Sequence, residues 1–237
     1  MKHLVSLVGL IAFLMVVLPG PLYKFNMVEL GTAFAGFRLG VYLGGAALVL
    51  LLVQVLFMRK TVSLTSALIT VFFAAVAIAM PLNMMNTAKS VPPIHDISTD
   101  LINPPEFVAV VPLRADAPNP VAYAGEETAA QQRKAYPELK SLEYNQTQLE
   151  LVAATTKAME NLGWELVNSD VNNGIVEATD TTIWFGFKDD VVVRINDKGS
   201  KRVVDIRSKS RIGKSDLGKN AQRIKTLIDE LNAVVVQ

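Results

Sequence analysis

The chain has 237 residues, of which 51% are hydrophobic, and it carries a formal net charge of +1 and no cysteine. The absence of cysteine excludes disulfides, thiolate nucleophiles and cysteine-based metal sites, and it leaves the compartment open. Charged residues are sparse in residues 1–88, where they are Lys2, Lys24, Glu29, Arg38, Arg59 and Lys60. This distribution predicts a membrane domain followed by a polar domain.

Three apolar runs in the first third are long enough to cross a bilayer as helices. They cover residues 4–22, 39–58 and 61–82. The first run lacks a small-x-small cleavage site, so we interpret it as a retained anchor and not a signal peptide. We expect the third run to stop at Pro81. Buried core helices are the alternative, which three consecutive runs disfavour.

The basic residues beside these runs predict an orientation. Lys2 and the Arg59-Lys60 turn are predicted on one side of the membrane. Lys24 and Arg38 are predicted on the other side, together with the acidic Glu29. The positive-inside rule then places the N-terminus in the cytoplasm and the C-terminal domain outside it. For a bacterial chain, this predicts a multi-pass protein of the inner (cytoplasmic) membrane with a periplasmic domain.

The spans themselves favour an anchor. They carry no ionisable residue at depth, which disfavours a transporter. Small residues recur four apart at Gly36, Gly40 and Gly44. Such spacing lets helices approach closely, either among the chain's own three helices or at an interface with a second copy or a partner.

The polar part divides by composition. Residues 89–144 form a proline-rich extended segment with one predicted helix at 126–136, and residues 145–237 form the core of the domain. Many prolines in one stretch are typical of extended, turn-rich chain. The segment is either wrapped on the domain surface or a semi-rigid stalk.

The core is predicted to consist of a helix, a run of antiparallel strands and a second helix. Thr147 and Glu150 form a predicted capping box for a helix ending near Leu162. Four strand-like runs follow: the first begins at Trp164, and the others cover 174–187, 191–195 and 202–208. Polar turns at 172–174, 188–190 and 196–200 join them. A last helix is expected from about Asp216. The predicted fold class is α+β: three transmembrane helices, then a small domain with an antiparallel meander packed by two helices.

One face of this sheet is expected to be open to solvent. Side chains alternate along a strand, so Arg194 on one strand and Asp205 and Arg207 on the next point away from the apolar face. Antiparallel sheets often bury one face and leave the other wet. We therefore expect these three side chains to share the open face.

Four segments carry a resemblance to a known family. They are PPIHDISTD (92–100), NPPEF (103–107), WFGFKDDVVVRI (184–195) and DIRSKSRIGKSDLGKNAQRI (205–224). In these the chain resembles the domain-of-unknown-function family numbered 1499, over about residues 90–235. The resemblance implies a domain often attached to membrane spans in bacteria and plastid-bearing eukaryotes. The family carries no established activity, so it implies no catalytic residue.

The stretch RSKSRIGKSDLGKN, residues 207–220, suggests an anion site. A phosphate loop is rejected, because Ser208 stands where its first glycine is needed and Asp216 lies where phosphate would sit. A weaker anion site at the start of the last helix remains open. Its candidate residues are Arg194, Arg207, Arg211, Lys214, Ser215 and Arg223. The alternative is that Ser215 or Asp216 caps the helix while the basic residues are solvated or paired.

A second candidate is the histidine in HDISTD. His95, Asp96 and Asp100 could form an acid–base pair or contribute metal ligands, although zinc needs more protein ligands than lie nearby. A loop histidine bound to a backbone carbonyl or a carboxylate is the alternative. The sequence therefore predicts no metal site and no cofactor.

Two functions remain in competition. The first is a membrane-anchored extracytoplasmic binding or assembly module, with membrane lipids, an envelope protein or an anionic lipid or polymer as partner. The second is an envelope hydrolase, in which His95 must reach a carboxylate and face the arginines across a cleft. Nucleic acid is excluded, because from Lys89 onward 18 basic residues stand against 21 acidic ones.

Overall fold

The computed structural model describes residues 3–236, so Lys2, whose charge enters the orientation argument, lies outside the described residues. The chain divides into two compact units. The helical unit comprises Met1–Lys89 together with Ile183–Gly186. The sheet unit comprises Ser90–Thr182 and Phe187–Gln237.

The helical unit holds two helices that are long and apolar enough to cross a membrane by length and composition. Its elements are α1 (Leu4–Val17), α2 (Pro19–Lys24), α3 (Leu30–Phe57) and α4 (Leu64–Ser90). The two long ones are α3 and α4. The run predicted as a span at 4–22 is divided at Leu18, because two prolines that follow lack the N–H of a continuous helix. Three spans are therefore not confirmed.

Both long helices extend beyond their predicted bounds. Helix α3 begins at Leu30, so Arg38 lies within it and not in a loop. Helix α4 continues through Pro81 to Ser90, and the prediction that it stops at this proline is wrong. A proline removes one backbone donor and disturbs one turn, and the helix-forming residues on both sides sustain the remaining bonds.

The glycine series of α3 packs against helices of the same chain. A Cβ at Gly36 would lie 3.2 Å from the Met15 carbonyl oxygen, and one at Gly40 would lie 2.6 Å from the Val16 side chain. A Cβ at Gly44 would lie 3.3 Å from Ala77 of α4. These close approaches support packing among the chain's own helices. A homo-oligomer through the same residues stays a prediction.

The segment Ile183–Gly186 belongs to the helical unit through a tryptophan. The Trp184 indole N–H donates to the Val17 carbonyl at 3.0 Å. That carbonyl lacks a helical donor, because the residue four positions on is Pro21. A Cβ at Gly20 would lie 2.5 Å from the indole nitrogen, so glycine is needed for the ring to approach. The backbone group freed by the proline is thus paired.

The sheet unit is built on six antiparallel strands. They are β1 (Asp96–Ser98), β2 (Leu142–Tyr144), β3 (Glu165–Asp170), β4 (Ile175–Thr181), β5 (Lys188–Asp197) and β6 (Arg202–Ser210). The order is β1-β6-β5-β4-β3, and β2 also pairs with β6. The predicted meander is β3 to β6. The strand predicted at 174–187 ends at Thr181, because the residues 183–186 belong to the helical unit.

Three helices complete this unit: α5 (Glu126–Ala135), α6 (Gln148–Asn161) and α7 (Lys219–Val236). The capping box of α6 is confirmed, since Thr147 accepts from the Glu150 N–H and the glutamate accepts in return. Helices α6 and α7 cover one sheet face with an apolar core that includes Val193, Ile206 and Leu227. This face contributes the hydrophobic stabilisation of the unit.

The proline-rich segment is packed onto the other sheet face. Its residues Phe107 and Val110 are buried and form a small cluster with Val192 of β5. Its first strand, β1, pairs with β6 beside them. The segment is therefore a wrapped region of the folded unit, and the stalk alternative does not describe it. We call residues 99–125 the covering segment.

Candidate functional site

The face beneath the covering segment is lined by charged and polar side chains in register. One row across the strands is Thr179, Asp190, Lys209 and Asp96, and the next row is Glu177, Val192, Arg207 and Ser98. A third row pairs Arg194 with Asp205. Strand alternation puts these side chains on the same face, opposite the apolar core.

The expectation that this face is open is wrong. Asp205 and Arg207 are each 2% exposed, and Arg194 is half-buried. The covering segment closes the face, and its backbone carbonyls accept bonds from the arginine: Arg207 donates to Pro105 at 3.1 Å and to Val121 at 2.9 Å. Extended proline-rich chain makes few bonds of its own, so its carbonyls are available to such donors.

Asp96 joins two cations of β6 to the covering segment. Arg207 donates to both of its carboxylate oxygens at 2.9 Å, and Lys209 donates at 2.9 Å. The backbone N–H of Ala124 also donates to it, at 3.1 Å. Asp96 is 0% exposed, so the carboxylate is a buried counter-charge with both oxygens hydrogen-bonded.

Asp190 is a second buried counter-charge, on β5. It accepts from Arg114 of the covering segment, from two nitrogens of Arg211 at 2.9 and 2.8 Å, and from the Thr179 hydroxyl at 2.7 Å. Burial opposes ionisation, but the hydrogen bonds from Arg211 and Thr179 hold the pKa of Asp190 below its usual value. The carboxylate therefore remains charged between two guanidinium groups.

Glu177 holds the covering segment by its backbone. Its carboxylate accepts the N–H of Val108 at 2.8 Å and of Ala109 at 2.6 Å, with a longer contact to Val110 at 3.5 Å. The side chain is fully buried. Consecutive backbone N–H groups thus satisfy a charge that would otherwise be costly to bury.

Two carboxylates of this buried cluster are each shared by two cations. Asp96 pairs with Arg207 and Lys209, and Asp190 pairs with Arg114 and Arg211. Burial lowers the pKa of Lys209, and the charges of neighbouring arginines lower it further against the effect of Asp96. The pKa of Arg114 is lowered in the same way, by burial and by the charges of nearby arginines.

The covering segment follows the rows of the sheet in order. Asp100 accepts from Arg194 at 2.9 Å on the third row, and residues 108–110 bind Glu177 on the middle row. Arg114 reaches Asp190 on the first row. Each row therefore fixes one point of the segment, so its conformation is set by buried charge pairs along its length.

His95 lies apart from these charges. Its Nδ1 is 3.3 Å from the Lys214 carbonyl oxygen, in the position of an N–H donor. The neighbouring Asp96 points to the covered face, where Arg207 and Lys209 hold it. Asp100 instead caps its own turn and binds Arg194. The three candidates of the HDISTD stretch are thus not brought together.

The anion-site candidates also separate. Arg194, Arg207 and Arg211 lie on the covered face and are paired there. Arg223 lies on the helix-covered side, where it donates to Asp180 and Asp189. Lys214 is exposed, and the Ser215 hydroxyl accepts a 3.3 Å bond from the Leu217 N–H. The structure does not gather them around one helix start.

Asp216 explains the polar stretch before the last helix. It accepts from the Gly218 N–H at 2.8 Å and the Asn220 N–H at 2.6 Å. Helix α7 begins at Lys219, three residues later than predicted, because Leu217 and Gly218 adopt positive φ. Burial raises the pKa of Asp216. The stretch is therefore a turn that satisfies free N–H groups of the helix.

Sequence reasoning missed Arg114, Glu177, Asp190 and Lys209. The predicted turn at 188–190 is wrong, since these residues begin β5 and pair with β4 and β6. A signal existed in β6, where Asp205, Arg207 and Lys209 alternate with apolar and small residues. Within residues 3–236, no three histidine or carboxylate side chains are grouped as metal ligands.

Comparisons with known proteins agree with this domain. Residues 96–231 match the family described as Protein of unknown function (DUF1499). No curated protein matches the chain. The match begins at β1 and ends within α7, so it covers the sheet, the covering segment and the helices that pack on the sheet. Since it spans more than half of the chain, the chain belongs to the DUF1499 family.

Proposed function

We propose that the chain is a membrane-anchored extracytoplasmic binding or assembly module that binds through its covering segment. The observation that carries this proposal is a set of exposed apolar side chains on a backbone fixed by buried ion pairs. Ile102 is 88% exposed, Val108 61% and Leu113 51%, while the adjacent Phe107 and Arg114 are buried. We infer an interaction surface from these exposed side chains because the backbone that carries them is fixed.

The fixed backbone lowers the cost of binding. A flexible loop loses conformational entropy when a partner orders it. The covering segment is already held at three rows of the sheet, so its binding avoids this loss. The candidate membrane-spanning helices α3 and α4 support an anchor that keeps the domain at a membrane. The proposed location is the inner membrane of a bacterial cell, with the domain in the periplasm.

His95 does not support the hydrolase alternative. That function needs the imidazole to face a carboxylate and the arginines across a cleft, whereas its ring contacts a backbone carbonyl. The arginines are engaged by Asp96 and Asp190 beneath the covering segment. We therefore favour binding over hydrolysis.

Site-specific photo-crosslinking in cells tests the binding surface. A photoreactive amino acid replaces Val108 in one variant and Leu149 of α6 in another. The two side chains are matched, because they are 61% and 62% exposed and both apolar. We expect discrete adducts from position 108 and only background from position 149. Equal background at both positions would contradict binding through the covering segment.

A reporter joined after Gln237 tests the orientation separately. A reporter that functions only in the cytoplasm should be inactive there, and one that functions only outside it should be active. The reverse result would place the domain in the cytoplasm. Neither result bears on the crosslinking comparison, so anchor orientation and binding surface are tested independently.

A further inference from the structure

One end of the sheet gathers the chain that enters the unit from α4. Residues 91–95 join α4 to β1 and reach this end, where the Ser210 N–H donates to the His95 carbonyl and the Asp216 N–H donates to the Ile94 carbonyl. We call this the linker end. It consists of residues 91–95, 111–119, Lys188 and 211–216.

The covering segment contributes apolar side chains to the linker end. Arg211 donates to the Leu113 carbonyl at 2.8 Å, which holds that turn beside β6. Asn119 donates to the Gly213 carbonyl at 2.9 Å and closes the same region. Leu113 is nevertheless 51% exposed and Val111 39% exposed. Two large apolar side chains are thus fixed at the surface by bonds made through the backbone around them.

Two basic residues belong to the same end of the sheet. Lys188 begins β5, and its carbonyl accepts from the Arg211 N–H at 3.0 Å. Lys188 and Lys214 are both exposed, and neither forms an ion pair with any other residue of the described range 3–236. Asp116 is the exposed acidic residue on the neighbouring turn. The linker end therefore combines apolar side chains with basic ones whose charges are not neutralised by pairing.

Residues 91–95 of the linker end follow directly after α4 in the chain. Residues 91–95 span at most about 20 Å when fully extended, at roughly 3.3–3.6 Å per residue. Apolar side chains beside lysines match the interfacial region of a bilayer, where the apolar groups enter the headgroup layer and the ammonium groups meet anionic lipids. A helix that crosses the membrane would hold such a surface within reach of that layer.

We propose that the linker end binds the anionic lipid surface of the membrane in which α4 is embedded, through Val111 and Leu113 with Lys188 and Lys214. This inference rests on the proposed function, because it assumes that the chain is anchored by its helices. It identifies one partner of the covering segment as lipid headgroups. The apolar side chains supply contact, and the lysines supply preference for anionic headgroups.

Single-cysteine labelling tests the proposal on the full chain, which has no native cysteine. An environment-sensitive fluorophore is attached to Leu113→Cys and, as control, to Ser200→Cys in the turn between β5 and β6. Both proteins are placed in nanodiscs of phosphatidylcholine, with or without phosphatidylglycerol. Lipids bearing a nitroxide should quench the label at 113 and not at 200, and phosphatidylglycerol should increase this quenching.

The charged side chains are tested in the same system. Lys188→Gln with Lys214→Gln should abolish the increase caused by phosphatidylglycerol and leave the label at 200 unchanged. Equal quenching at the two positions, or quenching at 113 that does not respond to phosphatidylglycerol, would overturn the proposal. Because the nanodisc holds no other protein, this failure is distinct from the loss of crosslinks at Val108 that would contradict the proposed function.

Discussion

The sharing of Asp96 by two buried cations predicts that the carboxylate and the lysine contribute unequally to stability. Asp96→Asn removes the charge that serves both Arg207 and Lys209. Two buried cations then lose their counter-charge, and breaking a buried pair in this way costs about 3–5 kcal/mol. Lys209→Met removes one of these two cations and keeps the bidentate contact of Arg207 with the carboxylate. We expect it to change stability by about 1 kcal/mol or less in either direction.

Amide hydrogen exchange of the full chain in detergent measures this difference. The free energy of opening is read at Val193 and Ile206, which are 0% exposed in the apolar core. Asp96→Asn should lower it by several times the effect of Lys209→Met. Equal losses in the two variants would refute this unequal contribution of Asp96 and Lys209.

The lysine also gives a pH dependence of known sign. Because the pKa of Lys209 is lowered from 10.5 in the folded state, the unfolded chain binds more protons between the lowered value and 10.5. The contribution of this lysine to stability should therefore rise with pH across that window and be constant below it. This dependence should be missing from Lys209→Met. The same opening free energies, measured over pH, provide the check.

The helices and caps give two further predictions. Gly40→Ala should lower the thermal stability of the helical unit, because the new Cβ would lie 2.6 Å from the Val16 side chain. Gly45→Ala is the control: its Cβ meets nothing within 4 Å, so it should stabilise α3 by up to about 1 kcal/mol. Circular dichroism melts in detergent compare them, and equal shifts would contradict the packing. Thr147→Ala should cost about 1 kcal/mol at the start of α6, with Thr147→Ser as control, by urea unfolding.

Local patterns predicted the elements of the fold that depend on neighbouring residues. The capping box at Thr147, the meander and the last helix all follow from periodicity and caps. The covered face did not follow, because Arg114 and Asp190 are far apart in the chain and their pairing depends on where the proline-rich segment lies. An arginine between apolar residues gives no local sign that a carboxylate on a strand will neutralise it.

The candidate site was misjudged for the same reason. The positions of Arg194 and Arg207 on one face were predicted by alternation, and this prediction is confirmed by their register on β5 and β6. Their exposure was not predictable, since β-strand periodicity shows which residues share a face and not what covers it. The covering segment, with few apolar side chains facing inward, lacks the pattern that normally marks a packed element.

Buried ion pairs fix the covering segment to the sheet, and limited trypsin digestion of the full chain in detergent tests this most directly. Arg114 is the one trypsin site between Lys89 and Arg133, and it is 3% exposed. Lys198 and Lys201, in the turn between β5 and β6, are exposed controls. We predict cleavage in that turn with Arg114 resistant, and rapid cleavage after Arg114 in Asp190→Asn. Cleavage of the unmodified chain after Arg114 as fast as at Lys198 would contradict the account.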